Sequence, residues 1–320
     1  MKRIIPIFLV AMVLSLAVFS SGCIRQEENR TVTVSSTDGL IIKEFSADAS
    51  TYEKGENITL SLDIENVGGT TAENVTLYIL GVTWTNKTCI NPKTATVEEC
   101  PKVIAKKLSP PDLSTGTKGD YIYLTWTIPG YSTIPEGIEL PVTIRARVLY
   151  DYHSNGEVDV PVISKDYQKL LSHQNKPLPT APEAQNSRGP IHIDIEREGL
   201  PIVVEKNNPI TRQVRVYIKN VGSGAPILND DLGKLKLKLS LLTHGVDAEL
   251  LSCQTTEATN NVWTGDIVLR RGETVTIPCT INFTNTEVPE SYNMLGIVFE
   301  TNYTYFIEKP LTVTIVGTPE

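Results

Sequence analysis

Ile58-Thr-Leu-Ser-Leu-Asp-Ile64-Glu-Asn-Val-Gly68 is the stretch whose reading decides the fold. Ile58, Leu60, Leu62 and Ile64 alternate with Thr59, Ser61 and Asp63. Successive side chains of a strand point to opposite faces, so this pattern spells a β-strand with one buried and one wet face. Asn66-Val67-Gly68-Gly69 then stops it, because glycine takes backbone conformations that other residues avoid.

The same phrase returns farther along as Val214-Arg-Val-Tyr-Ile218-Lys-Asn-Val-Gly222. Other segments recur at nearly the same offset of 153 or 154 residues. Lys118-Gly-Asp-Tyr-Ile-Tyr-Leu-Thr-Trp-Thr-Ile128 answers Arg271-Gly-Glu-Thr-Val-Thr-Ile-Pro-Cys-Thr-Ile281. Ile134-Pro-Glu136 answers Val288-Pro-Glu290, and Tyr150 and Tyr152 answer Tyr303 and Tyr305. Matches in one order at one spacing mark an internal duplication, so the chain reads as two copies of one domain.

Both copies are dense in strand signals. Leu40–Phe45, Val75–Ile79, Tyr121–Ile128, Val142–Tyr150 and Val158–Ile163 serve the first. Ser154-Asn155-Gly156 between the last two predicts a tight hairpin turn. In the second copy Ile191–Ile195, Leu235–Leu241, Val275–Ile281, Ile297–Tyr305 and Leu311–Val316 alternate. Asp166–Leu171 has room for a helical turn or two, and Pro177, Pro179 and Pro182 then stiffen a polar stretch. The expected organisation is all-β: a first antiparallel β-sandwich over 39–163, a Pro-rich linker over 164–189 and a second sandwich over 190–317.

Upstream, Lys2 and Arg3 precede an apolar run from Ile4 to Phe19, which ends in Ser20-Ser21-Gly22-Cys23. A membrane-spanning helix needs about 20 apolar residues, so this run reads instead as a signal segment, 1–22. Its end resembles the lipobox of bacterial and archaeal lipoproteins, although Ser20 stands where Leu is usual. That resemblance implies lipidation at Cys23 and a protein held on the outer face of the membrane. Residues 23–38 read as a polar tether, with Thr31–Val34 as a candidate edge strand.

The run of alternating strand, Asn-Val-Gly and further strand, followed by Gly, strand, turn and a strand with Tyr, is similar to the cell-adhesion-related (CARDB-type) domains of archaeal and bacterial surface proteins. This resemblance implies immunoglobulin-like sandwiches and a binding or scaffolding role without catalysis. With the lipobox and the Asn-x-Thr glycosylation triplets at Asn29, Asn57, Asn74, Asn86, Asn282 and Asn302 it resembles an archaeal surface lipoprotein most.

Apart from Cys23, the cysteines form one close pair per copy, Cys89 with Cys100 and Cys253 with Cys279. In an oxidising compartment such pairs read as two local disulfides. The alternatives are free or metal-binding thiols, or a Cys100–Cys253 bond between copies. By the repeat, Cys279 stands where the first copy has the inward-facing Trp126.

Six Asn-x-Thr triplets, at Asn29, Asn57, Asn74, Asn86, Asn282 and Asn302, are candidate glycosylation sites, though Thr-rich strands also generate such triplets. Net charge is −8, and −10 once Lys2 and Arg3 are removed with the signal, which argues against nucleic acid as a partner. His153, His173, His192 and His244 are scattered, and no nucleophile–base, zinc or phosphate-loop motif occurs. The chain thus reads as non-enzymatic, with no cofactor and no metal. Asp151–Asp159 faintly echoes a calcium loop but reads better as a hairpin tip. Two patches are candidate binding faces: Tyr121 with Tyr123, and Lys234, Lys236 and Lys238 with Arg215 and Lys219. The expected role is structural, adhesive or recognition of other surface proteins or glycans. The alternatives are an accessory subunit of a membrane transport, secretion or filament complex, or a carbohydrate binder.

Overall fold

The alternation that begins at Ile58 is carried into three dimensions without a slip. In the computed structural model, which describes residues 32–229, 231–284 and 290–319, Ile58, Leu60, Leu62 and Ile64 are fully buried. Their strand lies in the first half of the chain, which runs β1 (Leu40–Ala47), β2 (Thr51–Glu53), β3 (Ile58–Asn66), β4 (Ala72–Leu80), β5 (Lys87–Asn91), β6 (Thr96–Glu99), β7 (Lys102–Leu108), β8 (Tyr121–Ile128) and β9 (Glu139–Ser164). One helix follows, α1 (Lys165–His173), capped by the Ser164 hydroxyl accepting from the Tyr167 N–H.

The second half runs β10 (Gln185–Asn186), β11 (Ile191–Ile195), β12 (Ile202–Val204), β13 (Ile210–Asn220), β14 (Ala225–Leu228), β15 (Asp231–Leu232) and β16 (Lys234–Leu242). It continues through β17 (Ala248–Cys253), β18 (Thr256–Glu257), β19 (Val262–Val268), β20 (Thr274–Phe283) and β21 (Tyr292–Val316). The fold is an all-β sandwich. A three-stranded sheet, β1-β3-β8, and a five-stranded sheet, β11-β13-β20-β17-β18, share one apolar core with an eleven-stranded sheet.

That large sheet is organised around β9 and β21, of 26 and 25 residues, which pair antiparallel from Tyr292↔Ile163 to Val316↔Glu139. The halves therefore exchange strand ends. Beyond its middle, β9 pairs with β12 of the second half, and β21 ends beside β2 of the first. Asp151 and Thr304 are ladder partners and, at the 153-residue offset of the repeat, also equivalents, so an approximate two-fold axis passes between them.

The hairpin turn expected at Ser154-Asn155-Gly156 does not form. These residues lie within β9, opposite Thr301, Glu300 and Phe299. Gly156 is there for space rather than for a turn: an added Cβ would sit 2.6 Å from the Asn186 amide oxygen and 2.7 Å from the Phe299 ring. Pro310 lies in β21 between the stretch paired with β14 and the stretch paired with β2. A proline there removes no ladder bond on that side. The expected Pro-rich linker leaves α1 and then returns to the sheet, where β10 pairs with Glu157 and Gly156 of β9.

The repeated Asn-Val-Gly phrase has one structural job in both halves. The Asn66 amide donates to the carbonyls of Thr70 (3.0 Å) and Leu108 (2.8 Å), and its oxygen accepts from the Gly68 N–H (3.0 Å). The Asn220 amide donates to Gly224 (2.9 Å) and Arg270 (3.1 Å), and its oxygen accepts from Gly222 (3.2 Å). The glycine lets a tyrosine hydroxyl approach: an added Cβ on Gly68 would fall 2.1 Å from the Tyr152 hydroxyl, and one on Gly222 2.6 Å from that of Tyr305. Tyr150, Tyr152, Tyr303 and Tyr305 meet edge-to-face across the two-fold, with ring centroids 5.7–6.4 Å apart.

Candidate functional site

The two disulfides are formed as the spacing suggested, Cys89–Cys100 and Cys253–Cys279. Cys253 and Cys279 are ladder partners on β17 and β20, and both residues are buried in the core. In the first half Trp126 fills the space equivalent to Cys279, and its indole N–H donates to the Thr88 carbonyl at 2.8 Å. Cys100, just past the end of β6, turns instead to Cys89 in the middle of β5 and ties the two strands of the β5–β6 hairpin together.

The two halves also differ in how β8 is paired. Its counterpart β20 lies between β13 and β17, whereas β8 pairs only with β3 and forms the edge of its sheet among the described residues. On its outer face Tyr121 and Tyr123 are 70% and 60% exposed. Their ladder partners on β3 are Glu65 and Asp63. Glu65 is buried with Lys43 at 2.8 Å, and burial holds the Asp63 carboxyl above its ordinary range despite that lysine. The aromatic pair thus stands on a floor of two carboxylates.

The lysine face is different in kind. Lys234 is paired with Asp231, Lys238 lies 2.9 Å from Glu300, and Lys236 has Asp266 as its ladder partner. On the other sheet Arg215 is paired with Glu196, its Nη1 lying 2.7 and 2.8 Å from the two carboxylate oxygens, and Lys219 lies 2.8 Å from Asp194. These cations are interleaved with acids, so the stripe presents alternating charge rather than a basic field.

The sequence reading missed a cleft of about 640 Å³ at the two-fold, lined by Thr70, Glu73, Asp151, His153, Asn302 and Thr304 among others. Its polar groups are bonded to each other. The Asp151 carboxylate accepts from Thr304 (2.7 Å) and from the Asn74 amide (2.8 Å). His153 Nδ1 lies 2.9 Å from the Asn302 amide oxygen, and Glu73 is paired with Lys107 at 2.9 Å. The Asp151–Asp159 echo of a calcium loop lies in this strand. A strand throws alternate side chains to opposite faces and does not encircle an ion. Among the described residues no three His, Cys, Asp or Glu groups gather as metal ligands.

His192, whose Nε2 lies 3.0 Å from the Ser36 carbonyl, has its pKa lowered by burial. It stands on β11, away from the cleft residues. Of the glycosylation triplets, Asn57, Asn74, Asn86 and Asn302 are exposed and Asn282 is half-buried. Asn302 keeps its amide nitrogen out of the His153 contact, whereas the Asn74 and Asn86 nitrogens donate to Asp151 and Glu99. Cys23 and Asn29 lie outside the described residues. No described helix is long and apolar enough to cross a membrane.

No family model matches the chain, and no curated protein matches it. Solved structures that are similar include the secreted serine protease VesC from Vibrio cholerae, at 10% identity and a TM-score of 0.17, covering 81% of this chain and 50% of that one. They also include an Escherichia coli alpha-2-macroglobulin activated by porcine elastase, at 10% identity and a TM-score of 0.21, covering 87% of this chain and 32% of that one. A third is the collagen binding domain of the Erysipelothrix rhusiopathiae surface protein RspB, at 7% identity and a TM-score of 0.12, covering 88% and 97%. The chain spans half the length of the first and about a third of the second. At such TM-scores these likenesses carry no argument about fold or function.

Proposed function

We propose that this is an exported, lipid-anchored, non-enzymatic surface protein. In this reading two immunoglobulin-like, CARDB-type sandwiches act as a stiff recognition arm for other surface molecules. The signal segment ending at Cys23 supports export and anchoring, and paired disulfides suit an oxidising exterior. The 25-residue ladder between β9 and β21 supports stiffness, because the halves are joined by a shared sheet and not by a linker alone. The observation that carries the recognition role is the pair Tyr121 and Tyr123, exposed on an edge strand that has no hydrogen-bonded outer strand among the described residues.

Two measurements test this. Protein purified from membranes is expected to begin at Cys23 and to carry an acyl mass; another N-terminus removes the lipid anchor. Photo-crosslinking from position 123 in intact cells is expected to capture a surface molecule. A probe placed at Lys236 is expected to capture little. Equal yields at both positions overturn the assignment of the face.

A further inference from the structure

We propose that the outer edge of β8 is completed by the β8 of a second copy, running antiparallel across a two-fold axis. This names the occupant of the face assigned to recognition above and rests on that reading of the face. Four observations support it. First, Tyr-Ile-Tyr-Leu-Thr-Trp-Thr-Ile carries no charge, proline or glycine over eight residues. Native sheets blunt free edges with lysines, prolines, bulges or short strands, and a long edge without these devices pairs.

Second, the other edges show those devices. β1 carries Lys43 and Glu44, β7 carries Lys102, Lys106 and Lys107, β11 carries Asp194, and β19 carries Asp266. Among the described residues β8 is the one edge strand longer than three residues that lacks a charge.

Third, the chain itself shows what belongs there. The equivalent strand β20 is covered by the antiparallel strand β17, so the three-stranded sheet is one neighbour short of its duplicate. The segment equivalent to β17 is β6, which pairs with β5 and lies close to β8 without joining its ladder.

Fourth, the strand is complementary to itself. With the axis near Leu124, Tyr123 of one copy faces Thr125 of the other and Tyr121 faces Thr127, pairs of an aromatic with a β-branched residue. The charges flanking the strand on its N-terminal side, Lys118 and Asp120, then lie beside Ile128 to Gly130 of the other copy, which are uncharged. Three strands become six, and the four tyrosines share one outer face.

The test uses the full-length chain in detergent, with analytical ultracentrifugation over a concentration series. Wild type is expected to dimerise reversibly. Tyr123→Lys with Thr125→Lys places lysines opposite lysines, and the dissociation constant is expected to rise by about tenfold or more. Tyr123→Glu with Thr125→Glu is expected to do the same. An equimolar mixture of the two variants is expected to regain the dimer, which an unfolded variant would not do. Wild type that stays monomeric at its highest soluble concentration overturns the proposal. So does a dimer that both variants leave intact. Capture of a different molecule through position 123, with wild type monomeric, sinks the second copy as occupant while leaving the recognition face standing.

Discussion

Replacing Asn220 by Ala is expected to cost about 5 kcal/mol of unfolding free energy, and replacing Asn66 by Ala about 3 kcal/mol. Both side chains are buried, and each amide donates to two main-chain carbonyls. Losing these two donors costs about 2 kcal/mol at either site, and the vacated volume adds about 1 more. The difference lies in what the amide oxygen holds. At Asn66 it accepts from the Gly68 N–H, which also reaches the Gly39 carbonyl at 3.1 Å and so keeps a partner. At Asn220 it accepts both the Gly222 N–H and the Tyr305 hydroxyl, the latter at 2.8 Å with its ring buried. Two stranded donors account for the extra cost of about 2 kcal/mol.

The assay is equilibrium unfolding in guanidinium chloride, followed by tryptophan fluorescence and by far-UV circular dichroism. Coincidence of the two probes is required before a free energy is extracted. Asn220→Ala combined with Tyr305→Phe removes the stranded hydroxyl along with its acceptor. The double variant is therefore expected to lose about 1–2 kcal/mol less than the sum of the singles. Equal costs at Asn66 and Asn220, or strict additivity with Tyr305→Phe, refute this role for the two asparagines.

Removing Cys253–Cys279 by paired Ala substitution is expected to cost about 3.5 kcal/mol and removing Cys89–Cys100 about 3 kcal/mol, by loop entropy over 26 and 11 residues; melting curves of the two double variants check the order. Alkaline stability follows from the tyrosines. Burial pushes Tyr150 and Tyr303 well above the ordinary value of 10, and burial with the bond to Asp48 pushes Tyr52 to about 12. A raised folded-state pKa stabilises fully below pH 10 and loses that contribution as pH climbs through the folded value. Unfolding free energy is therefore expected to fall from pH 10 upward, and Tyr52→Phe to lessen the fall between pH 10 and 12; a flat profile across that window refutes it. A protease site placed among the exposed residues 174–178 is expected to cut without separating the halves on native gel filtration, because the β9–β21 ladder still joins them. Separation refutes the shared sheet.

Much of this architecture was legible because burial has a period. Ile58 to Ile64 and Leu235 to Leu241 alternate because one face of each strand meets the core, and a period of two survives any change in what lies next to the strand. The disulfide pairs were legible for a similar local reason. Strand partners were not. Asn155-Gly156 carries a hairpin signal, yet the strand runs through it, since Phe299 and Asn186 occupy the space that only a glycine leaves open. Such a contact joins residues far apart in sequence and leaves no local trace. The central cleft was missed for the same reason: Glu73, Asp151 and Asn302 come together only once β4, β9 and β21 are side by side. The outward placement of Tyr121 and Tyr123 follows from alternation, but the open edge beneath them depends on β6 pairing with β5 rather than with β8.

The two-fold axis also explains where the copies have diverged. Tyr150 touches Tyr152 of its own half and Tyr305 of the other, so a change there must suit both halves at once. The Asn-Val-Gly corners are tied to those tyrosines by hydroxyl contacts, and they too are kept in both copies. Away from the axis no such double constraint applies. There Trp126 replaces Cys279, Tyr121 and Tyr123 replace Thr274 and Thr276, and the strand that closes one sheet is folded away in the other. A duplication whose centre is fixed by packing can specialise only at its rims. The first half differs by leaving an aromatic, charge-free edge without a ladder partner in its own chain among the described residues, where the second half has β17.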